Sequence, residues 1–185
     1  MFRVTGGSVR GRKLRGPKGL EFRPTAGLVK KFIFSYPYVD VRGAKILDLF
    51  AGAGSLGIEA MSRGAQEVVF VEKSPVVVKI LHHNIHLCGF STESRVHRED
   101  VFYFIQKMGK QRQQFDIIFS DPPYKKTYHE MLVRTVDQND LLKAEGLLIL
   151  EHGKQDSGGE DHRIRLLKQK VFGHCIVSIY NKDEK

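Results

Sequence analysis

Residues 121–124 read Asp-Pro-Pro-Tyr, directly after the apolar run Phe-Asp-Ile-Ile-Phe-Ser at 115–120. Two prolines at the end of a strand stiffen the backbone and remove two N–H donors. What remains is rich in acceptors: backbone carbonyls, the Asp121 carboxylate and, beside them, the flat ring of Tyr124. An exocyclic amino group of a nucleobase needs such surroundings. Its lone pair is delocalised into the ring, so it attacks poorly until acceptors hold its N–H groups and favour a more pyramidal nitrogen. Tyr124 can stack on the base, and Asp121 opposes the positive charge that grows on nitrogen. The product ammonium sheds its proton readily, so the chemistry is mostly positioning for in-line displacement. A base within a stem must leave its stack to enter this pocket. Asp121, Pro122, Pro123 and Tyr124 are the candidate catalytic residues.

A second loop, Asp-Leu-Phe-Ala-Gly-Ala-Gly-Ser-Leu-Gly at 48–57, places Gly52, Gly54 and Gly57 as G-x-G-x-x-G between an expected strand and an expected helix. Glycines there permit a tight turn and close approach of a ligand to the backbone. Two ligand classes fit. A dinucleotide would set its pyrophosphate at the helix N-terminus, with Glu72 on the ribose. S-adenosylmethionine has no phosphate but carries an ammonium, a carboxylate and a cationic sulfonium. Asp48, just ahead of the glycines, repels pyrophosphate and suits a cationic ligand, while Glu72 serves the ribose in either case or else is a solvated strand-end acid. Asp100, after the third strand, is placed for an adenine amino group together with the backbone of Val101, or is a plain helix cap. With Phe50 and Lys73 beside these positions, the candidate cofactor-binding residues are Asp48, Phe50, Gly52, Gly54, Glu72, Lys73, Asp100 and Val101.

The elements that must position these loops alternate. Apolar runs at 45–50, 67–72, 95–99, 115–120 and 146–151 read as strands. Between them, 55–63, 75–87, 101–108 and 128–136 read as helices, with Pro75 at a favoured first-turn position. Residues 164–172 and 175–180 read as two closing strands with no helix between them, which makes one strand antiparallel. Repeated strand–helix units require a mostly parallel sheet with helices on both faces, an α/β Rossmann-like architecture. Ahead of it, Phe2–Val4 and Val9–Leu14 read as a β-hairpin and 29–36 as a helix. The expected division is an N-terminal appendage over 1–40 and a main domain over 41–185.

The 185 residues carry a net charge of +9. Residues 1–31 hold nine basic side chains and one acid, so eight of those nine net charges lie in that segment. Such an arm attracts polyanions by counterion release, and Arg3, Arg10, Arg12, Lys13, Arg23 and Thr25 are the candidate RNA-binding residues. No apolar stretch approaches the roughly 20 residues of a membrane span, and the N-terminus lacks an apolar signal core, so a cytoplasmic protein is expected. The two cysteines, Cys88 and Cys175, read as reduced structural thiols. His82 and His86 are spaced like half a metal motif, but Asn84 stands between them without a third ligand, so no metal is expected.

The full set of segments resembles the RsmD family of bacterial 16S ribosomal RNA guanine-N2 methyltransferases. The resemblance is carried by R-V-T-G-G-S-V-R-G-R-K-L near the N-terminus, R-P-T at 23–25, D-L-F-A-G-A-G-S-L-G-I-E-A-M-S-R-G-A at 48–65, F-V-E at 70–72, F-D-I-I-F-S-D-P-P-Y at 115–124 and a late F-G-H-C-I-V-S-I-Y. It implies S-adenosylmethionine as cofactor and transfer to N2 of a guanine in ribosomal RNA. The partner is expected to be that RNA, naked or within the small ribosomal subunit or its assembly intermediate, and a monomer is expected because nothing in the sequence demands a dimer. It implies cofactor contacts at Asp48, Gly52, Gly54, Glu72 and Asp100. It also implies that the hairpin and Arg23-Pro24-Thr25 hold RNA over the site. After R-P-T the family usually shows an acid, a base and a later acid, where this chain has Gly27, Leu28 and Lys31. Ala53 replaces a usual serine. An adenine-N6 methyltransferase is the alternative that Asp-Pro-Pro-Tyr alone permits.

Overall fold

A computed structural model of the chain describes residues 2–17, 27–123, 128–153 and 163–183. The chain opens with strands β1 (Phe2–Arg3) and β2 (Lys13–Leu14) and helix α1 (Gly27–Ser35), then alternates through β3 (Lys45–Leu49), α2 (Ser55–Ser62), β4 (Glu67–Val71), α3 (Pro75–Cys88), β5 (Ser94–His97), α4 (Val101–Lys110), β6 (Phe115–Ser120), α5 (Tyr128–Gln138) and β7 (Leu142–Gly153), and closes with β8 (Ile164–Phe172) and β9 (Cys175–Lys182). Local chemistry sets several of these bounds. Ser74 accepts the Val77 N–H and Pro75 fills the first turn of α3, which ends at Gly89 in a left-handed conformation. No helix among the described residues is long and apolar enough to cross a membrane.

Seven strands form one sheet in the order β5-β4-β3-β6-β7-β9-β8. The first five run parallel, and β9 enters antiparallel between β7 and β8. The mostly parallel architecture with one antiparallel strand is therefore as the sequence implies. Ile46, Val68, Phe70, Ile117, Phe119 and Ile149 face a core shared with α1, α2 and α3. Leu47, Leu49, Val69, Val71, Ile118, Leu148 and Leu150 face the opposite core, shared with α4 and α5. Strands apolar on both faces are what a sheet covered on both sides demands.

Two boundaries differ from the sequence reading by more than two residues. Strand β7 begins at Leu142 rather than 146, because a register shift lets both Leu142 and Leu147 pair with β6; Glu145 takes a left-handed φ of 60° within that bulge. The hairpin ladder is short, Phe2 with Leu14 and Arg3 with Lys13. Residues 5–10 leave the ladder to lie against α2. Gly7 is left-handed there, at φ 77°, and Ser8 N–H donates to the Ser62 carbonyl at 2.6 Å. A side chain on Gly7 would occupy the position of that same carbonyl.

The arm is held by a buried charge cluster. Glu59 on α2 is fully buried and accepts from the backbone N–H and hydroxyl of Thr5, both at 2.8 Å. It also faces Lys30 at 3.3 Å and Arg63 at 2.8 Å. Lys30 is itself buried and donates to the Arg3 carbonyl at 2.6 Å. Burial pulls the Lys30 pKa down while Glu59 opposes the shift. Burial likewise penalises the Glu59 carboxylate, but Thr5, Lys30 and Arg63 outweigh it and hold its pKa below the usual range. Removing one partner strands the other charge, so Glu59→Ala is expected to lower stability by about 3–5 kcal/mol. Urea unfolding checks this; a loss below about 1 kcal/mol would show that the cluster does not secure the arm.

Candidate active site at the carboxyl edge

The chain runs outward from β3 through β4 to β5, then returns to β6 on the other side of β3. Ligands of open α/β sheets bind outside the strand ends at such a reversal. The loops after β3 and after β6 are the glycine loop and the Asp-Pro-Pro-Tyr loop. Leu49 pairs with Val71 and with Ser120, and Ser120 pairs with Leu150. The register thus sets the next residues, Glu72, Phe50, Asp121 and Glu151, in one row along the carboxyl edge.

The glycine loop is shaped by two carboxylates. Asp48, at the end of β3, accepts the Gly57 N–H at 2.9 Å and so ties strand to helix. A side chain at Gly57 would strike the Phe70 ring and that carboxylate. Glu72 accepts from Gly52 N–H at 3.1 Å with one oxygen and from Ser74 N–H at 2.8 Å with the other. Between these clips Phe50, Gly52 and Gly54 all have positive φ, at 54°, 54° and 88°. Burial pushes the Asp48 pKa up to about 7, against the Gly57 N–H bond and with help from the charge of Glu72. A positive ligand group would reverse that shift. The hydroxyls of Ser55 and Ser120 are also buried and lack hydrogen-bond partners among the described residues. Two carboxylates, unused hydroxyls and a bare glycine backbone fit a cationic, ribose-bearing ligand better than a pyrophosphate.

Asp100 caps α4, accepting from Phe102 and Tyr103 N–H with one oxygen. Its side chain is exposed at the end of β5, and Val101 beside it is buried. Lys73 is exposed next to Glu72. Phe50 meets Phe102 and Tyr128 at ring-centroid separations of 6.4 and 5.6 Å, and those two rings lie 5.8 Å apart. This trio joins the glycine loop to the starts of α4 and α5.

In the second loop Asp121 is half-buried, Pro122 buried and Pro123 exposed. Tyr124 lies outside the described residues, as do Arg23 and Thr25. The start of α5 is fixed from behind. His129 Nε2 meets the Tyr180 hydroxyl at 2.6 Å, the His129 and His152 rings stack at 4.0 Å, and His152 Nε2 meets the Ser178 hydroxyl at 2.7 Å. Burial, and then the neighbouring His152, press the His129 pKa down to about 4, so the ring is neutral near pH 7.

Sequence reasoning missed Glu151, Asn84, Phe102 and the His129 cluster. Glu151 is a buried carboxylate at the end of β7, with no motif around it to mark it. Asn84 donates to the Ala53 carbonyl at 2.9 Å inside the glycine loop. Of the arm, Arg3, Arg10, Arg12 and Lys13 are exposed. Among the described residues no cluster of three or more His, Cys, Asp or Glu could hold a metal ion.

The family described as Conserved hypothetical protein 95 matches residues 2–181. Ribosomal RNA small subunit methyltransferase D of Haemophilus influenzae is 32% identical, over 96% of this chain and 92% of its own. The chain belongs to this family, RsmD. A solved structure of a hypothetical protein from Thermus thermophilus superposes with a TM-score of 0.83 at 30% identity, covering 97% of this chain and 98% of that one. An RNA methyltransferase from Salinibacter ruber, solved with S-adenosyl-L-homocysteine, shares the fold at a TM-score of 0.67 and 15% identity, over 88% of this chain and 95% of its own. The RsmD chain thus has the Rossmann-like class I methyltransferase fold.

The raised Asp48 pKa has a consequence for stability. Its proton favours the folded state fully below pH 3.8, and that contribution is lost as pH rises through about 7. In between, the loss runs at up to about 1.4 kcal/mol per pH unit. Asp48→Asn keeps an acceptor for Gly57 but cannot ionise. Urea midpoints between about pH 5 and 8 should fall more steeply for the natural protein than for this variant; parallel curves would disprove the buried-acid assignment.

Proposed function

We propose that the chain transfers a methyl group from S-adenosylmethionine to the exocyclic N2 of a guanine in 16S ribosomal RNA. The observation that carries this reading is the adjacency of the two loops. The clipped glycine loop and residues 121–123 leave neighbouring parallel strands at the sheet's point of reversal. Bound there, S-adenosylmethionine supplies an electrophilic methyl group on sulfur. Asp48 balances positive charge on the ligand, Glu72 meets the ribose, and Asp100 with the Val101 backbone meets the adenine edge. Phe50 and Lys73 border the same cleft.

Asp121 and the carbonyls at Pro122 and Pro123 accept the N–H groups of the target amine. They orient its lone pair and offset the charge that grows on nitrogen. Tyr124 stacks on the flipped base. The amine then loses a proton to solvent, so no strong base has to be built. Arg3, Arg10, Arg12 and Lys13, with Arg23 and Thr25, hold the surrounding phosphates. In this reading residues 1–40 form the RNA-holding part and 41–185 the methyltransferase domain, working as a monomer in the cytoplasm on the small subunit or an assembly intermediate.

Mass analysis of small-subunit RNA from cells lacking the protein tests the substrate. A guanine without its N2 methyl is the expected result; loss of an N6-methyladenine instead would move the assignment to adenine. Asp121→Ala should abolish transfer while S-adenosylhomocysteine still binds, and equal loss of both would remove Asp121 from the chemistry. Replacing Arg10, Arg12 and Lys13 by alanine should reduce the slope of log affinity for RNA against log salt by ~0.9 for each phosphate that the arm no longer neutralises. An unchanged slope would rule out the arm as the part that holds RNA.

A further inference from the structure

We infer that Asn84 couples the basic arm to the glycine loop, so that RNA held by the arm tightens the grip on S-adenosylmethionine. The inference rests on the reading that the arm holds RNA and the loop holds the cofactor. Asn84 lies on α3 and is fully buried. Its amide is used at both ends. Nδ2 donates to the Arg15 carbonyl and to the Ala53 carbonyl, and Oδ1 accepts the Arg15 N–H, each at 2.9 Å. Ala53 stands between the left-handed Gly52 and Gly54. Arg15 follows Arg10, Arg12 and Lys13. One planar group therefore ties the end of the arm to the middle of the loop.

Packing reinforces the tie. Leu14 shares a core with Leu81 and Ile85 of α3. Leu81 is also the side chain that a Cβ on Gly54 would strike. Residues 14–15 and 53–54 thus press on the same turns of one helix. A buried amide cannot release one partner cheaply, because each freed group would lack water as a substitute. Immobilising the arm on RNA fixes the amide plane and with it the Ala53 carbonyl. The loop is then ordered before the cofactor arrives, which is positive coupling without a change of shape. Linkage makes the effect reciprocal: cofactor tightens RNA by the same factor. Asn84 is a positioning residue, since it touches neither ligand.

The experiment measures binding of labelled S-adenosylhomocysteine with and without small ribosomal subunits from cells that lack the protein. The natural protein should bind about five-fold or more tightly when subunits are saturating. Asn84→Asp keeps the acceptor toward Arg15 N–H but loses both donors, and should bring that factor close to one while unfolding stays cooperative. Arg15→Pro attacks the tie from the other side by removing the N–H, whereas Arg15→Ala keeps it and loses only the charge. Loss of coupling in Arg15→Pro with retention in Arg15→Ala supports the inference, even if Asn84→Asp fails to fold. Full coupling in a folded Asn84→Asp, or equal loss in both Arg15 variants, overturns it. A natural protein that binds both ligands independently overturns this inference alone, and one that binds neither overturns the functional reading beneath it.

Discussion

A carboxylate buried between a strand and the helix that follows it is stable only if hydrogen bonds or an opposing charge compensate it. Asp48 has the Gly57 N–H and, among the described residues, no ion pair. The shape of the carboxyl edge follows from this. The bond to Gly57 requires helix and strand to touch, which requires a glycine where the Phe70 ring lies. The close approach leaves the intervening loop short, so it closes through three residues of positive φ. The clip from Glu72 to Gly52 then sets the second wall of the same cleft. What is left uncompensated is a negative potential, pointing at the place where a cationic ligand would sit.

Helix α2 extends this constraint across the molecule. Its first turn carries Gly57, its last carries Glu59 and Ser62, and Arg63 caps it; these last three grip the arm. Loop and arm are therefore mounted on one strut as well as joined through Asn84. Charge is sorted accordingly: acids stand in the row along the strand ends and exposed bases stand on the arm. A nucleobase is neutral and its phosphates are anionic. In the proposed reading the acidic row would meet the base and the basic arm the phosphates.

The strands and the two ligand loops are legible in the sequence because their signals are local. Apolar runs of five or six residues, a glycine triplet and a double proline each announce themselves within a short window. The extra length of β7 is hidden because Lys143, Ala144 and Glu145 are exposed and interrupt the apolar run, although a bulge keeps them in the strand. The hairpin is overread because Val9 alternates like a strand residue, yet the glycines on either side of it turn the backbone toward α2. Glu59, Lys30 and Asn84 look like ordinary polar residues within helices. Their partners lie 54, 27 and 69 positions away, a distance at which pattern carries no information. Glu151 is likewise just the last letter of an apolar run until the register sets it beside Asp121.

The seat of Gly7 is defined by missing atoms. The arm approaches the Ser62 carbonyl so closely that even a methyl group would displace it. The arm that such a group would lift contributes Val4 and Leu14 to the core shared with α1, α2 and α3, so the disturbance would reach that core as well. A single missing methyl group is thus what lets the arm, the helix and one of the two cores close on one another at this corner.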